Sequence, residues 1–230
     1  MALHVLTWNL MHGRAVPPAG HDLLDEFAGA LAAWRWDVAL LQEVPPWWAA
    51  PLADRLGGDR RLVLTSRNFG LPVRRALAAR WPDLLRSSGG GANAIVTRRG
   101  RIEEHRALRL CRWPERRWLH AVRLRLSDDP DAREAWVGNL HLTVHDAPAA
   151  RREARVAAAA MRAWGTGQPL VLGGDFNLRG LVLDGYACAA SHDVDYVFVR
   201  GARPDADGAA LERGRLSDHA PVSSTVSLAG

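Results

Sequence analysis

The sequence predicts an α/β fold in which two packed β-sheets carry helices on their outer faces. Three observations predict it. Strand-like segments clearly outnumber helical ones, the helical segments fall early and midway, and no repeat or linker divides the chain. One domain over residues 1–230 is therefore expected, long enough to bury a sizeable core. Its 48% hydrophobic and 24% charged content are those of an ordinary globular protein.

The first strand is Leu3–Asn9, where strand formers alternate until Met11-His12-Gly13 breaks the pattern. From Asp22 to Trp34, apolar residues at 23, 24, 27, 31 and 34 follow helical spacing, with Asp22 as the expected N-cap. Asp37–Glu43 is a near-continuous apolar run ending in a carboxylate, hence a buried strand. Pro45 and Pro46 are expected to start a second helix that ends at Leu56, stopped by Gly57-Gly58.

Arg61–Thr65 reads as another strand. Residues 66–91 are the least regular, with a short helix expected between Val73 and Ala79 and a flexible tail Ser87-Ser88-Gly89-Gly90-Gly91. Arginines with interleaved aromatics there suit either a phosphodiester strand or a solvated insertion. Strands follow at Ala94–Thr97, Arg101–Leu110, Trp118–Leu126 and Ala135–Leu142, with a turn cluster Ser127–Asp131 between the last two. His145–Trp164 is helical, capped by Asp146 and stopped by Gly165. Strands at Leu170–Leu172, Val194–Val199 and Pro221–Leu228 complete the chain.

The formal charge is +5, and all 30 basic residues are arginine. Without lysine, few groups titrate between neutrality and arginine, so the pI of about 10.4 overstates the basicity. The modest surplus favours polyanionic partners without demanding them. Cys111 and Cys188 are too few for a disulfide framework or a structural zinc site and are expected to be buried thiols. No apolar run reaches the roughly 18 residues of a membrane-crossing helix. The N-terminus lacks the pattern of a secretory leader, so a cytoplasmic location is expected.

Polar residues gather at strand ends. In Leu170-Val171-Leu172-Gly173-Gly174-Asp175-Phe176-Asn177, the glycines are expected to turn the backbone tightly. Asp175 and Asn177, two apart in an extended segment, would project together and suit holding a water against a phosphate. An Asx-rich turn is the alternative. Asn9, Glu43, His141, Asp195, Asp218 and His219 also lie at or beside strand ends. Singly each has a dull explanation, but all eight are residue types that serve hydrated-metal and phosphate chemistry.

Seven segments occur in order: Thr7-Trp8-Asn9, Leu41-Gln42-Glu43-Val44, Asn93-Ala94-Ile95-Val96, Asn139-Leu140-His141-Leu142, Gly174-Asp175-Phe176-Asn177, Val194-Asp195-Tyr196-Val197-Phe198 and Leu216-Ser217-Asp218-His219-Ala220-Pro221-Val222. Together they resemble the successive motifs of the endonuclease/exonuclease/phosphatase superfamily, the deoxyribonuclease I-like enzymes. The resemblance implies a four-layer αββα sandwich of two stacked mixed sheets and a divalent-metal-dependent phosphoesterase. It further implies Glu43, Asn9 and Asp218 as metal ligands, and Asp175 as the residue orienting or deprotonating the attacking water. Asn177 would anchor phosphate or nucleophile, His219 would be the catalytic histidine with Asp195 as its carboxylate partner, and His141 would donate to a phosphate oxygen. Asn93 and His12 are further substrate-side candidates. An oxygen-rich set with no thiol suits Mg2+, with Mn2+ as a substitute.

Departures narrow the class. Val44-Pro45 follows the glutamate where abasic-site endonucleases usually carry Thr and Lys. A lysine-free chain lacks the phosphate-reading motif of inositol phosphatases, and a sphingomyelinase would want a leader. The expectation is a monomeric nuclease acting on DNA or RNA without an obligatory protein partner. The alternatives are an enzyme acting on small-molecule or lipid phosphates and a non-catalytic binding module.

Overall fold

In the computed structural model, residues 1–66, 68–84, 91–127, 133–205 and 208–228 are described. The first sheet contains β1 (Ala2–Asn9), β2 (Val38–Val44), β3 (Asp59–Leu64), β4 (Ala92–Thr97), β11 (Ala202–Pro204), β12 (Ala209–Ala210) and β13 (Val222–Leu228). Its strands run in the order β11-β13-β1-β2-β4-β3, with β12 also on β13. The second contains β5 (Arg101–Cys111), β6 (Arg117–Arg125), β7 (Glu134–His141), β8 (Leu170–Asp175), β9 (Ala187–His192) and β10 (Asp195–Arg200), in the order β5-β6-β7-β8-β10-β9. Helices are α1 (Leu24–Ala33), α2 (Ala49–Leu56), α3 (Leu71–Arg80) and α4 (Ala147–Trp164).

Each sheet has one parallel pair, β1/β2 and β7/β8, bridged by a crossover helix, α1 and α4 respectively. The other pairings are antiparallel, so both sheets are mixed. Strand alternation assigns the faces. Leu3, Val5, Val38 and Leu40 meet Val122, Leu124, Val137, Val171 and Val197 in the layer between the sheets. Leu6, Trp8, Ala39 and Leu41 turn outward to Phe27 and Leu31 of α1 and Leu52 of α2. Trp136, Leu140, Leu170 and Leu172 turn the other way, onto Ala154, Ala157 and Met161 of α4. The layers are thus helix, sheet, sheet, helix, as expected. Each fully buried Leu or Val contributes about 1.5–3 kcal/mol of apolar burial, so these three layers carry the fold.

A polar bridge lies inside the inter-sheet layer. Gln42 Nε2 donates to Asn139 Oδ1 at 2.8 Å, and Asn139 Nδ2 donates to the Leu41 and Ala94 carbonyls at 2.9 Å.

Several expectations shift. α1 begins one residue late: Leu23 is its cap residue, and Asp22 accepts from Leu24 N at 2.9 Å. Pro45–Trp48 form a turn, and α2 starts only at Ala49, ending at Gly57 in the left-handed region (φ 65°). Asp146 caps α4, accepting from Ala149 N at 2.9 Å. Strands β9, β11 and β12 were unexpected, being short or weakly patterned. Cys111 is half-buried and Cys188 exposed, not buried. Both sit on edge strands, which are covered from one side only. The tail at residues 87–90 and most of the turn cluster, 128–131, lie outside the described residues.

Gly173 and Gly174 do not turn the chain; they lie within β8. A Cβ on Gly174 (φ 141°) would stand 2.0 Å from the Leu140 carbonyl oxygen, and one on Gly173 would stand 2.7 Å from Leu40 Cδ1 of the opposite sheet. Close approach is what demands glycine here. Gly174→Ala is accordingly expected to destabilise the protein by about 2–4 kcal/mol in urea unfolding, since backbone rather than a side chain blocks the methyl. An unchanged midpoint would show that β7 and β8 can separate at that rung.

Candidate active site

Both parallel strand pairs end at the same edge of the sandwich. Asp175 closes β8, with His141 of β7 directly across on one side and Asp195 of β10 on the other. Three titratable groups therefore share one rung. Asn9 closes β1 of the opposite sheet and donates from Nδ2 to Asp175 Oδ2 at 3.0 Å, joining the two sheets at the edge. Its Oδ1 accepts from Met11 N at 2.9 Å, which fixes the amide orientation.

Glu43 reaches the edge through a bulge. Leu41 pairs with Ala94 and Val44 with Ala92, so Gln42 and Glu43 together face Asn93. Glu43 adopts φ 51°, a left-handed conformation that costs energy for a non-glycine residue. Met11, His12, Asn177 and Ser217 share this left-handed region (φ 48°, 55°, 52° and 60°), so backbone strain concentrates at the same edge. Glu43 Oε2 lies 3.0 Å from His12 Nε2 and its Oε1 lies 3.9 Å from His141 Nδ1.

The loop before β13 delivers His219. Ser217 Oγ donates to the Asn9 carbonyl at 2.6 Å, and His219 N donates to that hydroxyl at 3.1 Å. Trp8 Nε1 holds the His219 carbonyl at 2.9 Å. His219 Nδ1 then meets Asp195 Oδ2 at 2.7 Å, and Nε2 lies 3.8 Å from Asp175 Oδ2. His141 Nε2 lies 3.5 Å from that same oxygen. Asp175 Oδ2 thus faces an amide and two imidazoles at once.

Asn177 is placed differently from the expectation. The strand ends at Asp175, and Asn177 N donates to Asp175 Oδ1 at 3.0 Å. This is the Asx turn, not extended alternation, and the contact to Asp175 comes from the Asn177 backbone. Asn177 Nδ2 donates to the Leu142 carbonyl at 3.0 Å.

Environment sets the charges. Burial penalises the Glu43 anion, but His12, His141 and Asn9 outweigh it and hold the carboxyl well below the usual range. Burial, reinforced by the Arg117 cation, pushes His141 down to about 3, so it is a neutral imidazole. Burial also opposes charge on His219, yet Asp195, Asp175 and Asp218 raise it to about 9. Burial pushes the Asp175 carboxyl up against the pull of His219 and Asn9. Asp195 is pushed up by burial as well, against the pull of its 2.7 Å contact to His219.

The structure therefore gathers Asn9, His12, Glu43, His141, Asp175, Asn177, Asp195 and His219. Asp218 is exposed at their margin, its Oδ1 3.5 Å from Ser217 Oγ. Asn93 is buried opposite the Glu43 bulge, with neither carboxamide atom hydrogen-bonded. Sequence reasoning missed Arg117, which opens β6 two residues before Leu119 pairs with Leu140. That register brings it beside His141, where Nη2 bonds Glu115 Oε2 at 2.6 Å and buried Nε has no partner. An arginine opening the strand antiparallel to Asn139-Leu140-His141 was the available signal. A hollow of about 950 Å3 around Arg162, Gln168, Tyr186 and Arg200 lies at the other strand ends and shares no residue with this group.

The donors fit a hard divalent cation: carboxylates and amides converge, and both cysteines lie elsewhere. Among the described residues, Asp175, Asp195 and His219 place donor atoms within 4.8 Å of one another. Asp195 Oδ2 and His219 Nδ1 already bond each other, whereas Glu43 keeps a quarter of its side chain open (25%).

The sequence profile of the Endonuclease/Exonuclease/phosphatase family matches residues 6–219. The chain belongs to this family. Members of the family are phosphoester hydrolases. No curated protein sequence matches the chain. Among solved structures, an endonuclease/exonuclease/phosphatase from Beutenbergia cavernae DSM 12333 is similar with TM-score 0.77 and 20% identity, covering 100% of this chain and 72% of that one. The human Nocturnin catalytic domain with bound sulfate anion gives 0.74 and 16%, covering 99% and 94%. The mannosyl-6-phosphatase of Bacteroides thetaiotaomicron VPI-5482 gives 0.68 and 16%, covering 97% and 99%. These likenesses show a shared fold. Among the described residues no helix is long and apolar enough to cross a membrane.

The His219–Asp195 contact is testable without substrate. Asp195→Asn is expected to bring the His219 pKa down from about 9 toward the ordinary imidazole range, read from its ring resonances by NMR in chelator. The sign follows because the carboxylate favours the protonated imidazole. An unmoved titration would assign the stabilisation to Asp175 instead.

Proposed function

We propose that the chain is a divalent-metal-dependent phosphodiesterase, a nuclease acting on DNA or RNA. The observation that carries the reading is the setting of Asp175, a buried carboxylate facing Asn9, His141 and His219 within 3.8 Å. An acceptor held among donors at a strand edge is suited to a water poised for attack on phosphorus. In this reading Asp175 orients the water and takes its proton, its raised carboxyl pKa easing that transfer. His219, kept protonated by Asp195, donates from Nε2 to a phosphoryl oxygen, and neutral His141 donates an N–H to another. Asn177 would anchor the phosphate or the nucleophile, and Asn93 and His12 would lie on the substrate side.

Glu43 and Asn9, with Asp218, would hold Mg2+ or Mn2+, which when bound supplies positive charge to the phosphate oxygens. The depressed Glu43 carboxyl keeps that ligand ionised across the physiological range. The nuclease reading draws on the arginine surplus and on the departure from the inositol-phosphatase pattern. Likeness to a mannosyl-6-phosphatase favours a second reading, a phosphatase or phospholipid-type phosphodiesterase acting on small or lipid phosphates. A non-catalytic module is the weakest reading, since no metal or imidazole position carries an inert residue.

Labelled DNA, labelled RNA and a panel of phosphate esters, each with magnesium, manganese or EDTA, separate these readings. Nucleic-acid cleavage abolished by EDTA is expected; cleavage confined to the small esters would reverse the order. Asp175→Asn and His219→Ala are each expected to lower turnover by about 10²–10⁴-fold or more with the fold intact by circular dichroism. A near-normal rate in either variant would remove its assigned role.

A further inference from the structure

Two surface segments frame the His12–Glu43–His141 side of the edge. One is the β5–β6 turn, residues 111–117, which ends beside His141 because β6 is antiparallel to β7. The other is α3 with the residues leading into it. Arg116 N donates to Ser66 Oγ at 2.5 Å, tying the two segments together. Thr65 Oγ1 and Asn68 Nδ2 each donate to the Gly91 carbonyl at 2.8 Å, and a Cβ on Gly91 would stand 3.2 Å from the His12 ring. A cleft of about 370 Å3 between Pro46 and Trp47 and Leu71, Pro72 and Arg75 joins α3 to the chain leaving Glu43.

Large rings stand open on this rim. Trp113 is 83% exposed between Arg112 and Arg116, and Phe69 is 76% exposed with the Arg74 guanidinium 4.3 Å from its ring centre. Residues 68–84 and 109–117 hold Arg74, Arg75, Arg80, Arg109, Arg112, Arg116 and Arg117 against only Asp83 and Glu115. Both carboxylates are engaged, Asp83 by Gly20 N at 2.8 Å and Glu115 by Arg117. Rings and guanidinium groups are thus neighbours along this rim.

We propose that this rim is a binding surface for single-stranded nucleic acid, leading the strand to Asp175. Unpaired bases stack on Trp113 and Phe69, while Arg75, Arg112 and Arg116 follow the phosphates. A duplex presents its phosphates but hides its base faces, so it can use only the arginines. The inference rests on the nuclease reading and deepens it by naming the form of the substrate.

The test is fluorescence anisotropy in EDTA with a labelled single strand of about a dozen nucleotides, its duplex, and phosphatidylserine vesicles. Trp113→Ala and Phe69→Ala are expected to weaken single-strand binding about 5- to 100-fold each and to leave duplex binding nearly unchanged. Arg112→Ala should lower the steepness of the salt dependence. Hydrolysis of bis(p-nitrophenyl) phosphate should stay at the wild-type rate in all three, which certifies the fold and the site. Unchanged oligonucleotide affinities in variants of an enzyme that still cuts nucleic acid would overturn the surface and leave the nuclease reading standing. Loss of vesicle binding in place of oligonucleotide binding would overturn it in favour of a lipid surface. Trp113-dependent strand binding in a protein that cuts only small esters would support the surface and overturn the nuclease reading.

Discussion

The Asn9–Asp175 hydrogen bond depends on a geometric constraint that the whole structure obeys. Each sheet contains one parallel strand pair, and both pairs deliver their carboxyl ends to the same edge. A parallel pair needs a crossover, and the crossover helix covers the outer face. Thus the connection that builds the outer layers also brings Asn9, Glu43, His141 and Asp175 together. Side chains from residue 9 to residue 219 become neighbours because strand ends, not sequence distance, determine proximity.

Burial then differentiates chemically similar groups. His141 and His219 start as the same imidazole, yet one is kept neutral by desolvation and Arg117, and the other charged by Asp195. Glu43 and Asp175 likewise diverge, one held ionised among imidazoles and the other pushed toward its neutral form. A site with one charged and one neutral imidazole can stabilise charge on two oxygens without placing two cations side by side.

The layer order and the long elements were legible in the sequence, because alternation in Leu3–Asn9 and the apolar run Asp37–Glu43 leave few choices. The convergence of Glu43, Asp175 and His219 was readable from motif order. Other features were not. The role of Gly173 and Gly174 depends on what the missing methyl would strike, which only the neighbouring strand and the facing sheet reveal. Asn177 reaches its position through a left-handed residue, so strand periodicity gave the right neighbour for the wrong reason. Arg117 looks like any arginine in an arginine-rich chain until its register with β7 is known. The two cysteines were misjudged because edge strands resemble central ones in short stretches of sequence.

The amide bridge beneath the edge has its own consequence. Hydrocarbon surfaces resist separation but hardly resist sliding, since shifting one greasy layer across another exchanges equivalent contacts. Gln42 and Asn139 break that indifference with directional bonds in a dry interior, where a displacement of even an ångström would strand donors without acceptors. The two halves of the sandwich are thereby pinned against lateral drift directly behind the polar cluster at the edge.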